Sequence, residues 1–278
     1  MHEDHEKNRR DWRIPDELWE RIVPLLPLRK LHPLGCHRPR VEDRTAMDAI
    51  FFVLRTGCQW NALKETGICS SSSAHRRFQE WTEAGVFLAL WQSGLGAYEA
   101  LKGIDWEWLA MDGAMTKAPL GGKKVGKHPT DRGKIGAKRS LLTEGGGVPI
   151  GLAVEGANRN DFKMVRETIE SIPVKRPAPT PATPQGMCLD KGYDYDEVRD
   201  LLAEFGFTAH IRARGEEAKA LQQDAGFRAR RWVVERTHSW MNRFRRVLIR
   251  WDKKVCNYLG FLHLACAYIT YKQSGLLG

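Results

Sequence analysis

Through the first hundred residues, apolar positions recur at the three-and-four spacing of amphipathic helices, punctuated by glycine, proline and hydroxyl residues. Asp16-Glu-Leu-Trp-Glu-Arg-Ile-Val opens on acidic residues and stops at Pro24. Asp43 starts a second helix through Phe51, Phe52 and Leu54 to Gly57, a residue suited to a left-handed C-terminal cap. Residues 58–67 form a short helix and a turn. Ser70 to Ser73 supply hydroxyl caps for a helix through Trp81 that stops near Gly85, and a further helix covers about 86–102. On the capped helix Ala74, Phe78 and Trp81 share one face, which leaves Ser72, His75, Arg76 and Gln79 largely outside it. Short helix, turn and capped polar helix outline a helix-turn-helix. A packing bundle whose serines merely cap has the same outline.

From Trp106 the pattern changes to that of strands. Trp108-Leu-Ala-Met-Asp112-Gly is an apolar run ending in a carboxylate and a glycine. Residues 139–144 and 148–154 flank three glycines and form a hairpin, with Pro149 at a strand edge or start. A helix follows over 161–171, then a proline-rich surface link over 173–184. Strand 187–190, helix 196–205 and strand 207–212 lead to two helices over roughly 228–250 and 255–273. The order βββαβαβα predicts an α/β class with a mixed sheet. A helical domain over 1–104 precedes it, and the sheet domain covers 105–278.

The 278 residues suit one large or two modest domains, and 42% hydrophobic with 28% charged residues excludes a disordered chain. Six scattered cysteines (36, 58, 69, 188, 256 and 266), with no C-x-x-C pair, point to reduced thiols rather than a zinc site or disulfide framework. The longest apolar stretch, 255–271, is interrupted by Asn257 and His263 and falls short of a membrane span; the first residues carry no apolar signal region. A cytoplasmic location with no membrane partner is expected.

Charge changes the picture more. The net +10 from 44 Lys+Arg and 34 Asp+Glu is concentrated in two places. Residues 117–139 carry eight Lys/Arg against one Asp, and residues 228–254 carry ten against two, while 1–45 is nearly neutral. Two such segments point to a nucleic acid. From the first, Lys117, Lys127, Arg132, Lys134, Lys138 and Arg139 are candidates for holding a phosphate backbone. From the second, Arg228, Arg231, Arg236, Arg243 and Arg246 join them, and Ser72, His75, Arg76 and Gln79 are the candidates on the capped helix.

Three carboxylates stand out against this background. Asp112 and Asp190 each end an apolar strand and are followed by glycine within two residues. Strand ends in one sheet can bring two carboxylates to one edge, where hard cations prefer oxygen ligands; Asp-Gly and Asp-x-Gly are also plain turn signals. At 100° per residue, Val233, Trp240, Phe244, Val247 and Trp251 form a buried helix face, with Glu235 on the other side. Arg228, Arg231, His238, Ser239, Asn242 and Arg246 lie within about 60° of Glu235. A lone carboxylate in a field of arginines suits a metal cluster beside phosphate-gripping cations, or an exposed basic helix with an Arg231–Glu235 pair. Gly121-Gly-Lys-Lys-Val-Gly-Lys127-His128 misses a phosphate-binding loop, because histidine stands where Ser/Thr is required and Pro129 follows.

The chain resembles DDE transposases of the insertion-sequence-five type. The matching pieces are Ile14-Pro-Asp-Glu-Leu-Trp, Arg55-Thr-Gly-Cys-Gln-Trp60, Met111-Asp-Gly, Asp190-Lys-Gly-Tyr-Asp194 and Arg231-Trp-Val-Val-Glu-Arg236, continuing to Trp240-Met-Asn-Arg-Phe-Arg-Arg246. The resemblance spans nearly all of 14–272. It implies a ribonuclease-H-like catalytic core and Asp112, Asp190 and Glu235 as the catalytic, metal-holding triad. The family signature is Tyr, two residues, Arg, three residues, Glu, six residues, Lys. Arg231 and Glu235 match it, whereas Arg228 stands in the tyrosine position and Asn242 in the lysine position. The interval from 212 to Glu235 leaves no room for a large insertion domain. Implied further are two Mg²⁺ ions, with Mn²⁺ as substitute, and double-stranded DNA as partner, both element ends and target. A homodimer or larger active complex and no nucleotide cofactor complete the expectation. The chemistry would be cleavage at terminal inverted repeats followed by joining of the 3′-OH to target DNA. A non-transposing nuclease on the same fold and an inactive DNA-binding regulator are the competing functions.

Overall fold

The computed structural model describes residues 13–28, 40–211 and 232–277. Within them the N-terminal helices start and stop at the punctuation. α1 (Asp16–Ile22) passes into a 3-10 turn (Val23–Leu25) containing Pro24. α2 (Asp43–Thr56) ends at Gly57, whose φ of 70° is left-handed; a Cβ there would stand 2.9 Å from the backbone of Arg245. A 3-10 stretch (Trp60–Thr66) leads to α3 (Ser71–Glu83), capped by Ser70, whose Oγ accepts from the Ser73 amide at 3.2 Å. α4 (Val86–Lys102) completes the group.

Six strands form one sheet: β1 (Trp108–Lys117), β2 (Gly126–Lys127), β3 (Ile135–Thr143), β4 (Pro149–Gly156), β5 (Gly186–Leu189) and β6 (Thr208–Ile211). β3 lies antiparallel between β1 and β4, and β2 continues the β4 edge. On the other side of β1, β5 and then β6 run parallel. Antiparallel on one flank and parallel on the other, this is the mixed sheet that the sequence pattern predicts. After a 3-10 turn (Asp161–Met164), α5 (Val165–Glu170) packs on β3 and β4. α6 (Asp196–Glu204) packs on β6, and α7 (Trp232–Asn242) lies across β1 and β3. A single turn, α8 (Arg245–Leu248), precedes α9 (Val255–Ser274).

α9 is buried nearly all round, packed along α4 and reaching β4. Phe78 of α3 stacks on its Phe261 with ring centroids 4.2 Å apart. The apolar core therefore runs from the N-terminal helices through α9 into the sheet. Among the described residues no helix is long and apolar enough to cross a membrane.

Three expectations are corrected. β1 does not end at Asp112: β3 pairs with it as far as Lys117↔Gly136, so the ladder carries the strand five residues further. The helix expected over 228–250 is broken. Its first residues, with Arg228 and Arg231, lie outside the described residues, and α7 ends at Asn242. Phe244 is then extended (φ −90°, ψ 95°), which directs its ring into the core, edge-on to Tyr268 at 5.5 Å. As a result Trp251, expected on the buried face, is 36% exposed. Lys138, Arg139 and Arg246, expected at the surface, are buried, each with partners in the interior.

Candidate active site

The last parallel pair between β1 and β5 is Ala110↔Cys188. Two residues further along each strand stand Asp112 and Asp190, so the same register sets both carboxylates where the strands part. Asp112 keeps Leu141 as its β3 partner, and its Oδ1 accepts from the Gly113 amide at 2.8 Å. Asp190 Oδ1 accepts from the Gly192 amide at 2.8 Å and caps a 3-10 turn (Lys191–Tyr193). Asp190 thus serves the turn that its Asp-x-Gly signals, and its charge also acts on Asp112.

Electrostatics link these groups to Glu235. Burial, and then the charges of Asp190, Asp161 and Glu235, raise the Asp112 carboxyl to about 6, with the Gly113 N–H partly opposing. Asp161 is not among the residues that the sequence pattern marks as a site; there it only opens a helix. Its Oδ2 accepts from Lys138 Nζ at 2.7 Å, and its Oδ1 is buried with no hydrogen-bond partner among the described residues. A Cβ at residue 113 would meet that Oδ1 at 1.9 Å, so glycine is what lets Asp161 approach Asp112. Tyr193, also buried, has its phenol pushed well above the usual range by burial and by Asp161, Asp112 and Asp190.

α7 carries Glu235 on its exposed side and packs by Val233, Val234, Thr237, His238 and Met241. Thr237 Oγ1 donates to the Gly147 carbonyl at 2.7 Å, and Arg236 Nη2 to the Gly146 carbonyl at 2.5 Å. The Arg236 guanidinium also lies between the rings of Trp232 (4.6 Å) and Trp240 (4.8 Å). His238 Nδ1 accepts from Arg139 Nε at 3.4 Å, which leaves the proton on Nε2, facing the Asp112 carbonyl at 3.4 Å. Burial, then the Arg139 charge, lowers His238 to about 3, so the ring is neutral. His238 is therefore a buried link between α7 and β1, not a companion of Glu235 on the outer face.

Oxygen-only, mutually repelling carboxylates match the preference of a hard divalent cation. The orphaned Asp161 Oδ1 and the raised Asp112 carboxyl are signs of negative charge that the neighbouring side chains leave uncompensated. The carboxylates act on one another without converging: among the described residues no three His, Cys, Asp or Glu side chains stand close enough to hold one ion.

The phosphate-holding candidates separate by burial. Lys117, Lys127, Arg132, Lys134 and Arg243 are exposed, as are Ser72 and Arg76 on α3. Lys117 and Lys134 share Asp131 at 3.4 and 3.5 Å. Gln79 is half-buried, and so is His75, which packs on Trp60 at 4.9 Å. Lys138, Arg139 and Arg246 are withdrawn from the surface. Lys138 holds Asp161 and the Arg159 carbonyl, Arg139 donates to Asn242 Oδ1 at 2.7 Å, and Arg246 pairs with Asp252 at 2.9 Å. β3 has neighbours on both edges and packing on both faces, so adjacent Lys138 and Arg139 are both interior. Asn242, in the signature's lysine position, is an internal partner of Arg139.

Acidic side chains at the parting of two central strands, in a chain this basic, are the arrangement that metal-dependent phosphoryl transfer on a polynucleotide calls for. The family profile described as "Transposase DDE domain" matches residues 107–270, and that described as "Putative transposase of IS4/5 family" matches residues 14–91. The chain belongs to the DDE transposase family, and so is a DNA-cleaving and strand-transferring enzyme that depends on divalent metal. It is 34% identical over 153 residues to the "Putative transposase for insertion sequence element IS402" of Burkholderia cepacia, covering 54% of this chain and 70% of that one. It is 37% identical over 121 residues to the "Insertion element IS402 uncharacterized 16.2 kDa protein" of the same organism, covering 42% and 80%. The pre-cleavage Mos1 transpososome aligns at 13% identity over 89% of this chain and 82% of that one. At a TM-score of 0.29, that likeness is too slight to assign any residue a role.

Proposed function

We propose that this transposase binds the terminal inverted repeats of an insertion sequence, cleaves at its ends and joins the freed 3′-OH to target DNA, with Asp112, Asp190 and Glu235 as its catalytic carboxylates. The observation that carries the assignment is the shared register of Asp112 and Asp190 at the parting strands, within electrostatic reach of Glu235. These three would hold Mg²⁺ as two ions, with Mn²⁺ as substitute. When bound, the ions would supply activation of the attacking oxygen and stabilisation of the leaving one. Asp112 and Asp190 keep fixed orientations through the Gly113 and Gly192 amides, and His238 ties α7 to the Asp112 backbone so that Glu235 stays in range. In the first step water attacks the phosphorus at the element end and the 3′ oxygen leaves as a hydroxyl. In the second that hydroxyl attacks a phosphorus of the target, forming the new ester bond as the target's own P–O3′ bond breaks and its 3′ oxygen leaves as a hydroxyl.

Residues 1–104 are assigned to end recognition, with α3 as the reading helix of a helix-turn-helix, and 105–278 to catalysis. The Ser70 cap and the exposed Ser72 and Arg76 support this use of α3. Lys117, Lys127, Arg132, Lys134 and Arg243 would hold phosphates, with Arg236 fixed beside Glu235. Joining two ends requires at least a dimer in the active complex. The test is a donor plasmid carrying both element ends, incubated with protein and Mg²⁺ and scored separately for cleaved ends and joined product. Both products are expected. Cleavage without joining would indicate a nuclease, and end binding without cleavage a regulator.

A further inference from the structure

The end of α2, the break between α7 and α8, and the last turns of α9 enclose a cavity of about 180 Å³ that the carboxylate site does not use. Arg55, Trp240, Arg243, Phe244, Tyr268 and Lys272 line it. Phe244 and Tyr268 meet edge to face, and the Arg55 guanidinium lies 5.3 and 5.8 Å from their centroids. No carboxylate lines the cavity, and among the described residues none of its three cations forms an ion pair. Some exposed cations elsewhere are neutralised, Lys117, Lys124, Lys134, Arg166 and Arg199 each having a carboxylate within 3.5 Å, while others, such as Lys127 and Arg132, are not among the described residues; here three unneutralised cations gather around aromatic rings.

Unneutralised cations around aromatic rings match an anion that carries a planar ring: phosphate for the guanidinium and ammonium groups, a base for the ring faces. The volume lies below the roughly 300–1,000 Å³ of sites for drug-sized ligands, which suits a single ring system and excludes a base pair. A paired base has its faces covered by the stack, so the occupant must be unpaired. Trp240 connects this cavity to the active site. Its ring contacts Arg236, the neighbour of Glu235, and it lies about 7.5 Å of helix rise beyond Glu235.

We propose that this cavity binds one unpaired nucleotide of the DNA being processed, its base against Trp240, Phe244 or Tyr268 and its phosphate on Arg55, Arg243 and Lys272. The proposal rests on the transposase reading. It is tested with the full chain in EDTA, using two duplex oligonucleotides of identical sequence. One is blunt, and the other carries a short single-stranded overhang containing 2-aminopurine. The wild-type protein is expected to bind the overhang duplex more tightly and to quench its fluorescence. Tyr268→Leu should weaken overhang binding by about 5- to 100-fold, leave blunt binding unchanged and relieve the quenching. Because Tyr268 packs on Phe51, Lys272→Gln, at an exposed position, and Arg55→Gln provide a second arm, with the overhang preference expected to shrink in each. Equal affinity of the wild type for both duplexes, or equal losses on both in the variants, would overturn the cavity assignment alone. Failure of the wild type to bind either duplex would overturn the transposase reading with it.

Discussion

Residues 117–139 and 228–254 carry nearly the same surplus of positive charge, +7 and +8, and each sends two of its described cations inside, where they do different work. In the first, Lys117, Lys127, Arg132 and Lys134 are exposed and the interior takes Lys138 and Arg139 where the chain enters β3. In the second, Arg246 pairs with Asp252 inside the protein, and Arg250 is 1% exposed. Arg250 donates to the carbonyls of Lys123 (2.6 Å), Lys124 (2.9 Å) and Asp252 (3.0 Å), and its amide donates to the Lys117 carbonyl at 2.8 Å. A buried arginine of the second segment therefore holds the loop that presents the exposed lysines of the first. Charge density in sequence marks where phosphates would be met; burial then separates the cations free to meet them from those that build the surface.

The comparison breaks most severely at Arg250. Arg250→Met removes donors from interior carbonyls and is expected to cost roughly 3–4 kcal/mol, read from urea denaturation. Arg250→Lys should recover only part of this, because an ammonium cannot fork between carbonyls. A variant as stable as the wild type would show that the loop is held by something else.

Acid attacks the seam where the segments meet. His238, on α7, accepts from Arg139 and is held to about 3 by burial and that charge. Its unfolded value is near 6.5, so the unfolded chain binds the extra proton first as pH falls. Stability from this group is complete above about 6.5 and declines toward about 3, by at most about 1.4 kcal/mol per pH unit. Thermal midpoints at pH 7.5, 6 and 4.5 should show this slope, and His238→Gln should flatten it. A wild-type slope unaltered by that substitution would remove His238 as its source.

The smallest effect on stability belongs to the exposed cations. Lys127→Gln and Arg132→Gln should each change it by no more than about 0.5 kcal/mol. Each should nevertheless reduce the slope of log affinity for DNA against log salt by about 1. An unchanged slope would place those side chains off the DNA.

Much of this architecture is legible in the sequence because local signals and tertiary structure agree. Gly57, Gly85 and the Ser70 cap bound helices that the core also wants, and the 86–102 helix forms over the expected range. The misreadings come from long-range partners. Asp112-Gly113 carries a turn signal, but β3 pairs through it. The apolar positions 233, 240, 244 and 247 continue a helical period across Phe244, whose burial against Tyr268 instead requires an extended residue. Asp161 is invisible as a site residue, since Asn-Asp before a helix is ordinary capping chemistry; only folding brings it over Gly113. Charge alone assigns Lys138, Arg139 and Arg246 outward, and nothing local records that Asp161, Asn242 and Asp252 wait inside for them.

The central claim is that Asp112, Asp190 and Glu235 act as one unit. It is tested most directly by single-turnover cleavage and joining of a labelled element end in Mg²⁺, with Asp112→Asn, Asp190→Asn and Glu235→Gln each compared with the wild type. Each substitution is expected to slow both steps by on the order of 10³ or more, pairs of substitutions should be little worse than single ones, and end binding in EDTA should persist. Wild-type cleavage and joining by Asp190→Asn would contradict the claim.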